Sequence, residues 1–126
     1  MKTSKASLLA GFTLVEIMIV VAIIGVLAAI GIPSFLRART RSQATACINN
    51  LRQIETAVQQ VAIEKGLHVG DDVTYPDDIT PYIRLNSNNE IPGCPALGEY
   101  SLKKVGDIPQ AICSLGTSVD PPHVLQ

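Results

Sequence analysis

Tryptophan is absent from the 126 residues, and histidine occurs only twice. That leaves little material for an imidazole-based active site, the commonest route to general acid–base chemistry. No charge of either sign is in surplus: ten Lys and Arg face eleven Asp and Glu, a formal net charge of −1. A general nucleic-acid binder needs a basic excess to meet phosphate, so that class is excluded. Local catalytic signatures are also missing. There is no phosphate-binding loop, no H-E-x-x-H and no G-x-S-x-G, and there are no internal repeats. His68 and His123 have no recognisable triad partner by spacing. The cysteines and histidines show neither C-x-x-C nor H-x-x-x-H spacing, which argues against zinc. The expectation is no enzyme, no cofactor and no specific nucleic-acid partner.

What the chain does have is concentrated at one end. Hydrophobic residues are 47% of the total and mean hydropathy is +0.28, too apolar for a wholly disordered chain. Residues 1–36 are two-thirds apolar, whereas the remaining 90 support only a small core. Between Phe12 and Leu36 the only charged residue is Glu16, and Ile17 to Ile32 is an unbroken run of apolar residues and glycine. As a helix, 12–36 would span about 37 Å, enough for a hydrocarbon core of about 30 Å.

Two simple readings of this run are a plain membrane anchor and a secretory signal. Lys2 and Lys5 would supply the basic start of a signal, and Val26-Leu27-Ala28 a small-residue cleavage site. The run exceeds the usual signal core of about 7–15 residues. Neither reading accounts for Glu16. An acid in a membrane span costs a few kcal/mol even on lenient insertion scales, so it signals function. No Lys or Arg lies between Lys5 and Arg37. The partner of Glu16 must therefore come from another molecule, or from a new α-amino group made by cleavage nearby.

At this point the residues carry a resemblance. Gly11-Phe12-Thr13-Leu14-Val15-Glu16, followed by the apolar run to Ile32-Pro33, resembles the N-terminus of type IV pilins and type II secretion pseudopilins. The match covers roughly residues 8–45. The resemblance implies that a prepilin peptidase cuts between Gly11 and Phe12 and methylates the new Phe12 amine. It implies that Glu16 pairs with the Phe12 amine of a neighbouring subunit during helical assembly on an inner-membrane platform. It also implies a single-pass protein of the inner membrane, with its N-terminus cytoplasmic and its head outside, which then enters an extracytoplasmic filament. Charge counting does not fix that orientation, because Arg37, Arg39 and Arg41 flank the other end. A long-pilus subunit, a major secretion pseudopilin, and an anchored or secreted binding module all remain open.

Beyond Leu36 no helix stop appears. Pro33 is expected to bend or locally break the helix without ending it. Ala44, Cys47, Leu51, Ile54, Val58 and Val61 then recur at steps of three and four, an apolar stripe at helical period. Gly66 is the expected C-cap. From Leu67 onward Gly, Pro, Asn and Asp become frequent, which signals loops and short elements. Asp71, Asp72, Asp77 and Asp78 are weak calcium candidates that lack EF-hand spacing. The alternative is a solvated loop in which Asp77 or Asp78 caps a short helix through Leu85. Residues 99–105 and 111–115 read as a hairpin around Gly106-Asp107, laying Tyr100, Leu102 and either Ile112 or Ala111 on the stripe.

The expected fold is α+β: leader 1–11, apolar helix half 12–36, amphipathic half 37–66, and a small antiparallel head at 67–126. Cys94 and Cys113 bracket the hairpin with 18 residues between them. A disulfide there would stabilise by about 3 kcal/mol and would fit both an extracytoplasmic head and the loop common in type IV pilins. Cys47 would then be a buried small hydrophobe. Pairing of Cys47 with either of the others, or three reduced thiols, stays open. Cys94-Pro95-x-x-Gly98-x-Tyr100 also resembles, over a short stretch, the heads of small pilin-like proteins.

Overall fold

The computed structural model describes residues 11–125. Most of the expected leader, including Lys2 and Lys5, lies outside the described residues. The order of elements is helix α1 (Leu14–Lys65), a 3-10 turn (Thr80–Tyr82), and strands β1 (Tyr100–Leu102) and β2 (Ala111–Cys113). This is the α+β architecture expected. The chain divides into two compact units, 1–36 and 37–126.

In the first unit, the side chains of α1 are apolar all round and exposed. Ile17, Val20, Ile24, Leu27 and Phe35 are among many large hydrophobics without cover. A helix of this kind needs lipid or other helices around it. The stretch is long and apolar enough to cross a membrane, and none of its most apolar window is buried. Pro33 lies inside α1, and the helix continues through it. Pro33 thus does not end the helix, as the sequence reading expects, although proline removes one N–H from its ladder.

The second unit is built on residues 37–65 of α1. Every member of the expected stripe is buried, with Ala57 added between Ile54 and Val58. Leu51, Ile54, Val58 and Val61 are fully buried and share one core with Val73, Ile79, Ile83, Tyr100, Val105 and Ala111. The helix ends in a Schellman arrangement. Gly66 has φ +64°, its N–H reaches the Ile63 carbonyl at 3.4 Å, and the Leu67 N–H reaches the Ala62 carbonyl at 2.8 Å. Gly66 is thus the C-cap that the sequence predicts.

Strands β1 and β2 pair antiparallel, with Tyr100 opposite Cys113, Ser101 opposite Ile112 and Leu102 opposite Ala111. Tyr100, Ala111 and Cys113 consequently share the buried face. Between the two sequence options, the register turns Ala111 inward and leaves Ile112 half-buried. Side chains of α1 hold the adjoining loops. Asn50 Nδ2 donates to the Pro92 and Gly93 carbonyls at 3.3 and 3.2 Å, and Glu55 Oε1 accepts the Gln110 N–H at 3.1 Å.

The short helix expected through Leu85 is only the three-residue turn Thr80–Tyr82, with Pro81 in its first positions. Asp78 caps no helix. Its carboxylate accepts the Thr74 N–H at 2.9 Å and pairs with Lys65 Nζ at 2.5 Å, while Tyr82 Oη donates to Glu64 nearby. The Lys65 contact first, and the Thr74 amide second, hold the Asp78 carboxyl below its usual range.

Leu51→Ala in the detergent-solubilised full chain is expected to cost roughly 2–5 kcal/mol in calorimetric unfolding. Ile63→Ala, at a position 76% exposed, should stay within about 0.5 kcal/mol. Because the folded-state pKa of Asp78 is depressed, its contribution is present above the ordinary carboxyl pKa of about 3.9 and fades as pH falls through its lower folded value. Asp78→Asn should therefore flatten the acid limb of the melting-temperature profile; an unchanged limb would remove this role.

Candidate functional site

Gly11 and Phe12 precede α1 and are exposed. Thr13 starts the helix: its hydroxyl accepts the Glu16 N–H at 3.2 Å, and its carbonyl accepts the Ile17 N–H at 3.3 Å. A threonine hydroxyl here satisfies one of the donors that every helix start leaves unpaired. Glu16 therefore falls in the first helical turn, where the helix dipole favours an acid. Among the described residues, its carboxylate forms no ion pair. The acid is exposed within an apolar surface, so its demand for a cation is met by none of the described side chains.

The four calcium candidates are not gathered around one point. Asp78 is held by Lys65 and Thr74. Asp71 accepts the His68 N–H at 2.7 Å, and Asp72 lies 3.3 Å from Lys104 Nζ. Among the described residues, the acids form no metal-like group. Asp71, Asp72 and Asp78 each make a local contact within the head, and none of them caps a helix.

The cysteines differ from the expectation more sharply. Cys94 and Cys113 form no disulfide: all three cysteines are free and buried. The three sulfurs and a ring nitrogen of His123 lie within 4.8 Å of one another. Cys47 comes from the stripe of α1, Cys94 from the loop before β1, Cys113 from the end of β2, and His123 from the segment that follows. Cys94 Sγ is 3.3 Å from His123 Nδ1, and Tyr100 Oη donates to Cys47 Sγ at 3.5 Å. His123 is 3% exposed and is anchored through its own N–H to the Gly116 carbonyl at 2.7 Å. Burial pushes the Cys47 thiol up to about 12 against the opposing Tyr100 hydrogen bond. Burial would raise Cys94 too, but the backbone amides of Ala96 and Gly98 and the two neighbouring thiols bring it below the ordinary range.

The loop Cys94-Pro95-Ala96-Leu97-Gly98 is shaped around this point. The Leu97 N–H closes a turn on the Cys94 carbonyl at 2.9 Å, and Leu97 adopts φ +65°. A Cβ at Gly98 would lie 2.5 Å from Cys113 Sγ, so only glycine lets the backbone pass so close to that sulfur. Sequence reasoning missed the cluster because its ligands are far apart along the chain. The one local trace was the C-P-x-x-G wording.

The model for the prokaryotic N-terminal methylation motif matches residues 10–32, which contain Gly11, Phe12 and Glu16. By this segment the chain is similar to type IV pilins. The type IV major pilin protein PilA of Myxococcus xanthus is 51% identical over 55 residues, covering 44% of this chain and 25% of the relative. A type IV major fimbrial protein FimA of Dichelobacter nodosus is 47% identical over 58 residues, covering 46% of this chain and 37% of the relative. A fimbrial protein of Pseudomonas aeruginosa is 46% identical over 54 residues, 43% and 35% of the two chains. The matched part of this chain thus spans only a quarter to somewhat over a third of those relatives. No solved structure matches. Cys47, Cys94, Cys113 and His123 all fall outside the methylation motif.

Gly98→Ala should destabilise the head by about 1–3 kcal/mol through overpacking against Cys113. Gly93→Ala, where an added Cβ meets no atom within 4 Å, should leave the melt unchanged. Equal melts for the two variants would show that Gly98 is not constrained by the sulfur.

Proposed function

We propose that this chain is a structural subunit of a type IV pilus-like filament. The observation that carries the reading is Glu16, alone and without a cation among the described residues, one turn inside an apolar helix within a methylation-motif match. A prepilin peptidase cuts between Gly11 and Phe12, creating the missing cation as the Phe12 α-amine, and methylates it. In the membrane the subunit is single-pass, with its head outside the cytoplasm. On an assembly platform of the inner membrane, the Phe12 amine of one copy meets Glu16 of another. A charge-assisted hydrogen bond is strongest in a dry setting, so the pair sets axial register while the apolar helices replace lipid with one another. Gly25, Ala28, Ala29 and Gly31 offer small faces for close helix approach. The relatives named as pilins and fimbrial proteins favour a pilus over a secretion pseudopilus.

Mass analysis of the mature protein is expected to find N-methyl-Phe12 at the N-terminus. A mature start at Met1, or near Ala29, would sink the proposal. Glu16→Val should leave membrane insertion intact while cutting sheared filament yield at least about tenfold, the factor expected for losing a charge-assisted hydrogen bond of roughly 1.5–3 kcal/mol. Normal filament yield from that variant would refute the pairing.

A further inference from the structure

The Cys47–Cys94–Cys113–His123 cluster has a composition and placement that neither a disulfide nor a small hydrophobic core explains. A disulfide would use two sulfurs and leave a third thiol and a buried imidazole beside it. Core packing alone gives no reason for four donor atoms from four separate segments to converge within 4.8 Å. Nor does it account for the glycine at position 98, where an added Cβ would lie 2.5 Å from Cys113 Sγ. We propose that Cys47, Cys94, Cys113 and His123 bind a structural zinc ion that ties the head to its helix.

The geometry is close to what the ion needs. With Zn–S near 2.3 Å and Zn–N near 2.0–2.1 Å, a tetrahedral site sets its donor atoms about 3.6–3.8 Å apart. The present separations, 3.3 Å between Cys94 Sγ and His123 Nδ1 and none above 4.8 Å, reach that arrangement by side-chain shifts of about 1 Å or less. Three thiolates and one imidazole are a soft set that selects zinc over calcium or magnesium. All four donors come from the chain and all four residues are buried, so no coordination position is left for water or substrate. Such a closed site is structural rather than catalytic. Binding releases the three thiol protons and leaves a net charge of −1 at the site. The Tyr100 hydroxyl on Cys47, with the backbone amides of the 94–98 loop close by, is placed to share that charge.

The structural need is plain. The only sheet among the described residues has two strands of three residues each, too little to stand alone. Small domains with small cores add disulfides or metals. Zinc here would join α1, the 94–98 loop, β2 and the segment through His123 at one point. The site lies wholly within residues 47–123, so it does not depend on the filament reading.

The test uses the full chain, purified in detergent without chelator under anaerobic conditions. Elemental analysis should give one zinc per chain. Cobalt exchanged into the site should give the intense absorption of a tetrahedral thiolate complex. Chelation should lower the calorimetric melting temperature by about 10 °C or more. His123→Cys should retain the metal, whereas His123→Ala and Cys94→Ser should lose it. A reduced wild-type chain that takes up neither zinc nor cobalt would overturn the proposal. So would a Cys94–Cys113 disulfide in chain alkylated at harvest, because those sulfurs would then be unavailable as ligands.

Discussion

The head rests on one face of one helix. Residues 44–61 of α1 turn seven side chains inward, and the other buried hydrophobic residues of the head form one cluster with six of them. The hydrophobic effect scales with the apolar area removed from water, and here almost all of that area shares the single stripe. The stripe is also where the polar fastenings start. Asn50 and Glu55, flanking the buried positions, reach the loop before β1 and the backbone entering β2. Strands of three residues supply too few ladder bonds to choose their own position, so the stripe chooses it for them.

The same constraint puts Cys47 where it can be met by other sulfurs. Cys47 occupies a stripe position and is fully buried. Pairing Tyr100 with Cys113 turns Cys113 to the buried face of the hairpin. The tight turn at Cys94–Gly98 brings a third sulfur, and the bond between the His123 N–H and the Gly116 carbonyl brings the imidazole. Packing and donor convergence are thus two aspects of one arrangement, and a core that would otherwise be marginal gains a polar centre.

The other unit follows the opposite logic. Its helix offers apolar side chains on every face and buries almost none of them within the chain. Such a surface is stable only in lipid or among other helices. A single acid in the first turn adds direction to an otherwise featureless surface, since one charge at a fixed depth can be satisfied only at one register. Thr13 fixes that depth by starting the helix three residues earlier.

Much of this was legible from the residues in order. The apolar run, the isolated Glu16, the 3-4 spacing of the stripe and the Gly66 cap are local or periodic signals, and helices express such signals directly. The methylation motif is equally local, which is why residues 11–16 with the apolar run to Pro33 suggested the resemblance. The helix expected through Leu85 shrank to the turn Thr80–Tyr82, and Asp78 met Lys65 and the Thr74 amide instead of capping it. The cysteines could not be read in this way. Their spacing, 47 to 94 to 113, was compatible with a disulfide and contained no metal signature. Only the register of β2, the turn at Gly98 and the return of the chain to His123 determined which atoms meet. Contacts between residues so far apart in sequence are set by how the core closes, and no local pattern encodes that.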